Sequence, residues 1–541
     1  MREKTEKPGL KSWKAIARYL GCSVRTARRW EATEGLPVHR QQHVSRASVY
    51  AYESELDAWQ RRGELKQRPA AIEPTAVAQD TERSIAVLPF EFVGGEQQQE
   101  YVADGLTDEI ISKLSGLPEL RVTSRTSSMM FKGVKREART IAGQLKVTHL
   151  LEGTTRVAGD ALRVSARLIE PRRDEQLWTA TFDGTLEDVF SIQEKVARRI
   201  VDALELHLTP EQKRSLSTRS VDNTVAWRLM FQARQEAFRW RREAIDRAVE
   251  LLHRAIDIAG YNPQLLGSLG RTWLQYREAG IDLSEKPLVE AETCARRILD
   301  QDPAAVEGLQ LKGWLAYTRG NVAQAIDCLR MAIAAEPDDV DSLSLLVNCL
   351  LIAGLLDESE AHVERLLLID PLTPLTSCMP GWKAVLQGRF SAAIQPYEKM
   401  LTMDPANPFA RLFCIWAYVL NERHEQVAEA FAEFPEEAMG HPAVQVAALF
   451  AGKSKGPVAP HTEAAAAENE MLARTLAQGL AVAGDYDGAE RWLRTAMERG
   501  FTNYPYLSSF DPFFAPLRGR PGFEDVLKEM RKRWEALVNA T

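Results

Sequence analysis

The longest regular pattern along the chain is helical. From Val221 to the C-terminus apolar residues recur at three- and four-residue spacing, which predicts a run of paired amphipathic helices. Upstream the period changes. "SIAVLPF" (84–90) is a continuous apolar run of strand length, and a helical pattern follows from about 99 to 117. The stretch 120–128 predicts a second strand and 136–147 a second helix. Three strand candidates come next, at 149–159, 161–171 and 175–184. The middle one alternates strictly, with Leu162, Val164, Ala166 and Leu168 on one face and Arg163, Ser165 and Arg167 on the other. Gly159-Asp160 falls where a tight hairpin turn belongs. A helix from about Leu186 to Leu208 is expected to close this unit before Pro210. The pattern at 84–208 is therefore that of an α/β domain.

The first 65 residues carry a third pattern. Ser12 can cap a helix whose Trp13, Ile16, Ala17 and Leu20 form an apolar face; Gly21 ends it and Ser23 can cap the next. In that second helix Val24, Ala27 and Trp30 can face the first. Arg25, Thr26 and Arg29 then point outward, with Arg28 at one edge. A hairpin and a closing helix with Leu56 and Trp59 inward are expected after it. Two stretches read as linkers, the Pro- and Ala-rich 66–82 and the segment 452–470, whose alanine end is able to rejoin a helix.

The helical half has a measurable period. Pro303, Pro337, Pro371 and Pro405 are spaced by 34 residues, each in a D-P or E-P pair. Gly320, Gly354 and Gly388 repeat at 34, as do Trp382 and Trp416, and Trp314 lies two periods before Trp382. A 34-residue helix-turn-helix period is similar to the tetratricopeptide repeat, which implies an all-α solenoid over 222–541 with degenerate later units. Small residues at Gly313, Ala325, Ala332, Gly381 and Ala393 would let paired helices approach closely. The glycines would turn the chain between the two helices of a repeat, and each proline would stop the second helix.

Charge separates the ends of the chain. Of its 541 residues, the first 68 hold 15 Lys and Arg against 8 Asp and Glu, a net of +7 inside a total of −7. A basic module on an acidic body suits an anionic partner at the N-terminus and speaks against nonspecific nucleic-acid binding by the remainder. The six cysteines show no C-x-x-C spacing and read as packed thiols of a reducing compartment, and the nine histidines make no metal spacing. The opening residues have no apolar signal segment. The most apolar run, 343–356, is too short for a bilayer and is interrupted by Ser344 and Asn348. A cytoplasmic protein without cofactor or membrane partner is expected.

Catalytic signatures are absent: no phosphate-binding glycine loop, no G-x-S-x-G and no H-E-x-x-H occurs. The densest acidic cluster, Asp104, Asp108 and Glu109, sits where a helix starts, and Thr107 can cap it, so a structural role is expected rather than acid–base work. Together, "YVADGLTDEI", "LLEGTT" and "LWTATFDG" in residues 84–208 resemble the TolB-like amino-terminal domain of bacterial regulatory proteins. That resemblance implies a connecting or sensing unit between an N-terminal signalling or DNA-binding module and C-terminal repeats, with no established catalytic residues.

"SVRTARRWEATEGLPV" (23–38) resembles the recognition helix of the MerR/excisionase winged-helix family, and the likeness covers about 10–63. It implies that Arg25, Thr26 and Arg29 reach base edges, Arg28 a phosphate, and Arg40 and Arg46 the backbone from the wing. The long dimerising helix of MerR proteins is missing, so pairing of two heads into a homodimer would have to come from residues 84–541. The expected architecture is a winged helix-turn-helix at 10–65, a linker at 66–83, a TolB-like α/β domain at 84–208 and the solenoid at 222–541. The expected function is a non-enzymatic transcriptional regulator that binds double-stranded DNA, with a protein or peptide partner in the solenoid groove. The alternative is an interaction scaffold whose helix-turn-helix docks protein.

Overall fold

The computed structural model describes residues 10, 12–19, 36–41, 48–52, 56, 83–94, 99–134 and 136–540. They divide into two compact units, 1–81 and 82–541.

In the first unit the Ser12 hydroxyl accepts the Ala15 N–H at 3.1 Å and opens the helix Trp13–Tyr19. Strands β1 (His39–Gln41) and β2 (Ser48–Tyr50) pair antiparallel, and Leu10 bridges to Ala51 beside them. Ile16, Leu36, Ala51 and Leu56 form the buried core. The expected second helix, Trp59 and the linker at 66–82 lie outside the described residues.

The second unit opens with a mixed sheet. Its strands are β3 (Arg83–Val87), β4 (Glu91–Phe92), β5 (Leu120–Val122), β6 (His149–Ala158), β7 (Ala161–Glu170) and β8 (Glu175–Thr185). The order is β5-β3-β6-β7-β8; β3 runs parallel to both neighbours, and β6, β7 and β8 form an antiparallel meander. The alternation in β7 does what it predicts. Leu162, Val164, Ala166 and Leu168 are buried, while Arg163 pairs with Asp183 and Arg167 with Glu152 on the open face. Gly159, at φ +60°, makes the β6–β7 turn. Helices Tyr101–Ser115 and Val189–Ala203 supply apolar residues to the buried face, and Phe131, Ile141 and Leu145 pack with Ala86, Leu88 and Leu150 on the other.

Three expectations need correction. The strand at 120–128 ends at Val122, because the Ser124 hydroxyl caps a short helix, Arg125–Met129, by accepting the Ser127 N–H at 3.0 Å. Thr107 is not a cap. It sits inside its helix, donating to the Ala103 carbonyl at 2.9 Å and accepting from the Phe90 N–H at 3.1 Å, so it ties the helix to the chain after β3. The helix at 186–208 divides. A single 3₁₀ turn (Leu186–Asp188) precedes Val189–Ala203, and Pro210 starts a further helix, Pro210–Ser217, with Thr209 as its cap. Proline's fixed φ and missing N–H suit the first helical position as well as they suit a stop.

From Thr224 the chain is helix pairs: 224–237 with 242–259, 263–278 with 286–299, 306–318 with 322–335, 340–353 with 356–369, and 374–386 with 394–403. Helices from Pro408 to Ala540 continue the run with less regular spacing, and 452–470 does rejoin a helix at Pro460–Glu468. No gap in packing separates sheet from solenoid. One hydrophobic core runs from Ile85 through Trp227 and Phe231 to Leu315, and a second from Ala316 to Leu537.

Candidate functional site

The positions expected to read DNA fall largely outside the described residues: Arg25, Thr26, Arg28, Arg29 and Arg46 all do. Arg40 lies on β1, in register with Val49 of β2.

The repeat positions are described throughout. Gly313 and Gly381 face their partner helices so closely that a Cβ would stand 2.9 Å from Leu329 Cγ and 2.9 Å from Pro396 Cβ. Ala325, Ala332 and Ala393 are fully buried. Gly320, Gly354 and Gly388 hold φ of +78°, +78° and +73° at the turns between paired helices, a backbone region that favours glycine. Pro337, Pro371 and Pro405 each follow a helix end, at Ala335, Ile369 and Met403. The five described free cysteines, Cys294, Cys328, Cys349, Cys378 and Cys414, are buried, and burial pushes the Cys378 and Cys414 thiols up to about 12, which leaves them inert.

Two points along the solenoid run meet the sheet domain through polar contacts that no local pattern announces. At the first repeat, Asp108 accepts from both Arg125 and Arg234. Asp104 accepts from Lys132 at 2.7 Å and from Gln235 at 3.2 Å. Glu109 accepts from Ser220 and from the Trp227 indole, while burial raises its carboxyl above the ordinary range. The acidic cluster is thus structural: Asp104 lies in the first turn of its helix, and all three carboxylates also join the sheet domain to the first repeat. At the fourth pair, Asp370 of the Asp-Pro corner accepts from Ser124 and Ser127 of the sheet domain and from Thr376 of the next helix at 2.9 Å. The Ser124 N–H also donates to the Ile369 carbonyl at 2.7 Å. A residue counted only as part of a helix stop is therefore also a docking point.

The C-terminal segment covers the middle repeats. Arg474 lies 4.3 Å over the Trp382 ring and pairs with Glu470. Trp416 donates to Gln478 at 3.0 Å, and Gln478 to Asp511 at 2.7 Å. Along the first repeats lie two cavities, of about 420 Å³ beside the sheet domain and 290 Å³ beside the C-terminal segment, which share Leu274, Glu278 and Trp314 in their walls. Trp314, noted in the sequence only for its spacing, is one of the three residues they share. Among the described residues no group of three or more His, Cys, Asp or Glu could hold a metal ion, and no helix is long and apolar enough to cross a membrane.

Residues 81–201 match the family described as the HilA/YgeH-like transcriptional regulator, second domain, and 290–339 and 310–374 match the tetratricopeptide repeat. A curated protein of Rhizobium meliloti (strain 1021), named "Putative adenylate cyclase 3", is 35% identical over 175 residues, which are 32% of this chain and 30% of that protein. The chain thus spans less than a third of that relative's length. Among solved structures, a thermophilic tetratricopeptide protein of Thermus thermophilus is 19% identical, covering 35% of this chain and 99% of its own at a TM-score of 0.29. One from Parabacteroides merdae ATCC 43184 is 11% identical, covering 57% and 100% at 0.31.

Proposed function

We propose that the chain is a transcriptional regulator that binds double-stranded DNA through residues 10–65. In this reading the sheet domain, for which the TolB-like resemblance also speaks, is a connecting or sensing unit. The solenoid recruits a protein partner, and the protein works in the cytoplasm without catalysing a reaction. The observation that carries this reading is the order of parts: a net-basic N-terminal segment with a capped helix and an antiparallel ribbon directly precedes a HilA/YgeH-like regulator domain. The name of the Rhizobium relative does not transfer a cyclase activity, since the shared part is 30% of that protein. The acidic residues nearest to catalytic use, Asp104 and Asp108, are here held by lysine and arginine.

Titrating the full-length protein on promoter DNA at several salt concentrations tests the reading. Affinity should fall steeply with salt, as counterion release requires. Arg29→Ala should cost about 1–3 kcal/mol and relax specificity at one base position, as loss of a bidentate guanine contact does. Arg28→Ala should weaken binding to all sequences and lower the salt slope by roughly one. Binding that ignores salt and both substitutions would leave the scaffold reading in which this module docks protein.

A further inference from the structure

The sheet of the second unit has two edges, and the chain treats them differently. β5 is the short edge, three residues long, and the solenoid closes over it. Arg121 of β5 donates to the Leu368 carbonyl at 3.1 Å, and just past the strand the Ser124 N–H donates to the Ile369 carbonyl at 2.7 Å. β8 is the long edge, eleven residues from Glu175 to Thr185, and β7 is its one strand neighbour. The backbone of 175–184 makes no hydrogen bond with any described residue outside β7. A row of donors and acceptors is left facing outward.

Open edges are normally blunted by lysine, proline, an inward charge or a bulge. β8 carries one such device, at its start. Leu177 has no partner on β7, where the register slips between Leu168 and Ile169. From Trp178 to Thr185 the pairing is regular, and this stretch holds no lysine, arginine or proline. Its single charge, Asp183, is matched by Arg163 of the same sheet. Trp178, Ala180 and Phe182 stand opposite Leu168, Ala166 and Val164 on the face that the helices cover. The three β7 residues are buried, yet Trp178 and Phe182 are only half-buried. The core row therefore ends in open aromatic surface along the same edge.

What fits this edge is written in its own sequence. About Ala180 the strand is nearly symmetric, with threonine one position to either side and an aromatic residue two positions to either side. An antiparallel pairing with β8 of a second copy, on a twofold axis through Ala180, sets Trp178 opposite Phe182 of the second copy, twice. It sets Thr179 opposite Thr181 of the second copy, also twice. Both kinds of pair are favourable across strands. Asp183 falls opposite Leu177 and Glu175 opposite Thr185, so no like charges meet. We propose that the chain forms a twofold dimer in which two β8 strands pair antiparallel about Ala180 and join two sheets into one. The contact is one strand wide, below the total of about 1,200–2,000 Å² that stable interfaces bury, so the dimer dissociates on dilution. This goes beyond the regulator reading and does not depend on it: a chain that pairs and fails to bind DNA leaves the dimer standing.

The test is sedimentation equilibrium of the full-length protein over a wide range of concentrations, where a monomer–dimer equilibrium is expected. Thr179→Lys combined with Thr181→Lys sets lysine against lysine in both threonine pairs and should weaken association roughly tenfold or more. Thr179→Lys combined with Thr181→Glu sets lysine against glutamate in the same two pairs and should restore it. Both threonines are exposed, so all three proteins should melt alike when dilute, which separates lost pairing from lost folding. A parent protein that stays monomeric at every concentration would overturn the proposal. So would a double-lysine variant that associates like the parent, because the contact then lies elsewhere. A lysine–glutamate variant as weak as the double-lysine one would overturn it too, because the strands then do not meet about Ala180.

Discussion

The repeats between Pro303 and Pro405 and the segment after Glu468 are both helical, yet they are held together by different means. The former is built by repetition: a small residue where helices cross, a left-handed glycine at each turn, a proline after each second helix. The latter keeps one such turn, at Gly484 between helices 470–483 and 486–498, and is joined to the repeats by single-copy contacts. Its residues 498–510 run along the three glycine turns. A Cβ at Gly320, Gly354 or Gly388 would meet Glu498 O at 2.3 Å, Asn503 Oδ1 at 2.9 Å and Phe510 Cδ1 at 2.6 Å. The glycines are thus required twice, by the backbone and by the segment laid over them. Repetition makes the units, and the irregular end makes them one body.

The largest effect is expected where the repeat itself is attacked. Ala325 is fully buried, and its carbonyl lies 3.6 Å from where a Cβ on Gly313 would stand. Ala325→Arg must place a guanidinium between packed helices with no acceptor, which combines overpacking with an unpaired buried charge. A loss of about 5 kcal/mol or more is expected, read in urea unfolding of the full-length protein. An unchanged transition would mean that the helix faces are assigned wrongly.

How far the chain could be read in advance follows the same division. Prolines and glycines at a 34-residue spacing exposed the repeats, and the alternation in 161–170 exposed β7, because both patterns are local and periodic. Periodicity had nothing to say about Asp108 meeting Arg234, 126 positions away, or Asp370 meeting Ser124, 246 positions away. Such contacts depend on how distant elements close on each other. Thr107 was misread for a related reason. A hydroxyl near a helix start resembles a cap, and only the approach of Phe90 shows its other use. The two-residue β4 is too short for any pattern. Apart from Arg40 on β1, the arginines expected to touch DNA fall outside the described residues, so that part of the reading rests on the order of domains.

A smaller loss is expected where the irregular end is attacked. Gln478 is the only described partner of the Trp416 indole N–H and also donates to Asp511, whose carboxyl burial raises to about 6. Gln478→Leu keeps the bulk, leaves the Trp416 N–H unpaired and removes one donor from Asp511, which keeps the Phe513 N–H at 3.0 Å, at a cost of about 3 kcal/mol. The pH dependence has a defined sign. A carboxyl raised in the folded state adds most to stability when protonated, and that contribution falls as pH rises from about 4 through 6. The substitution removes a donor that favours the charged form, so its cost should be larger at pH 8 than at pH 5. Equal costs at both would mean that the Gln478 amide does not favour the charged form of Asp511.

The finest comparison uses two glycines in the same conformation. Gly354 and Gly484 each end a helix in the left-handed region, at φ +78° and +87°. Gly484 faces open space, with nothing within 4 Å of a built Cβ. Gly484→Ala should therefore cost only the backbone term, about 1 kcal/mol. At Gly354 the added methyl also meets Asn503, whose amide donates to the Leu351 carbonyl at 2.9 Å and whose oxygen accepts the Tyr506 N–H at 3.0 Å. Displacing that side chain threatens two buried hydrogen bonds, each worth about 1 kcal/mol net. Gly354→Ala should then cost about 2–3 kcal/mol. A second substitution, Asn503→Ala, should bring the cost of Gly354→Ala down toward that of Gly484→Ala, because the nearest obstruction is gone and only Trp534 Nε1, 3.2 Å from the added methyl, remains. Unfolding free energies for the four variants close this cycle. If Gly354→Ala and Gly484→Ala cost the same with Asn503 in place, the segment over the turns adds nothing, and the glycines answer to the backbone alone.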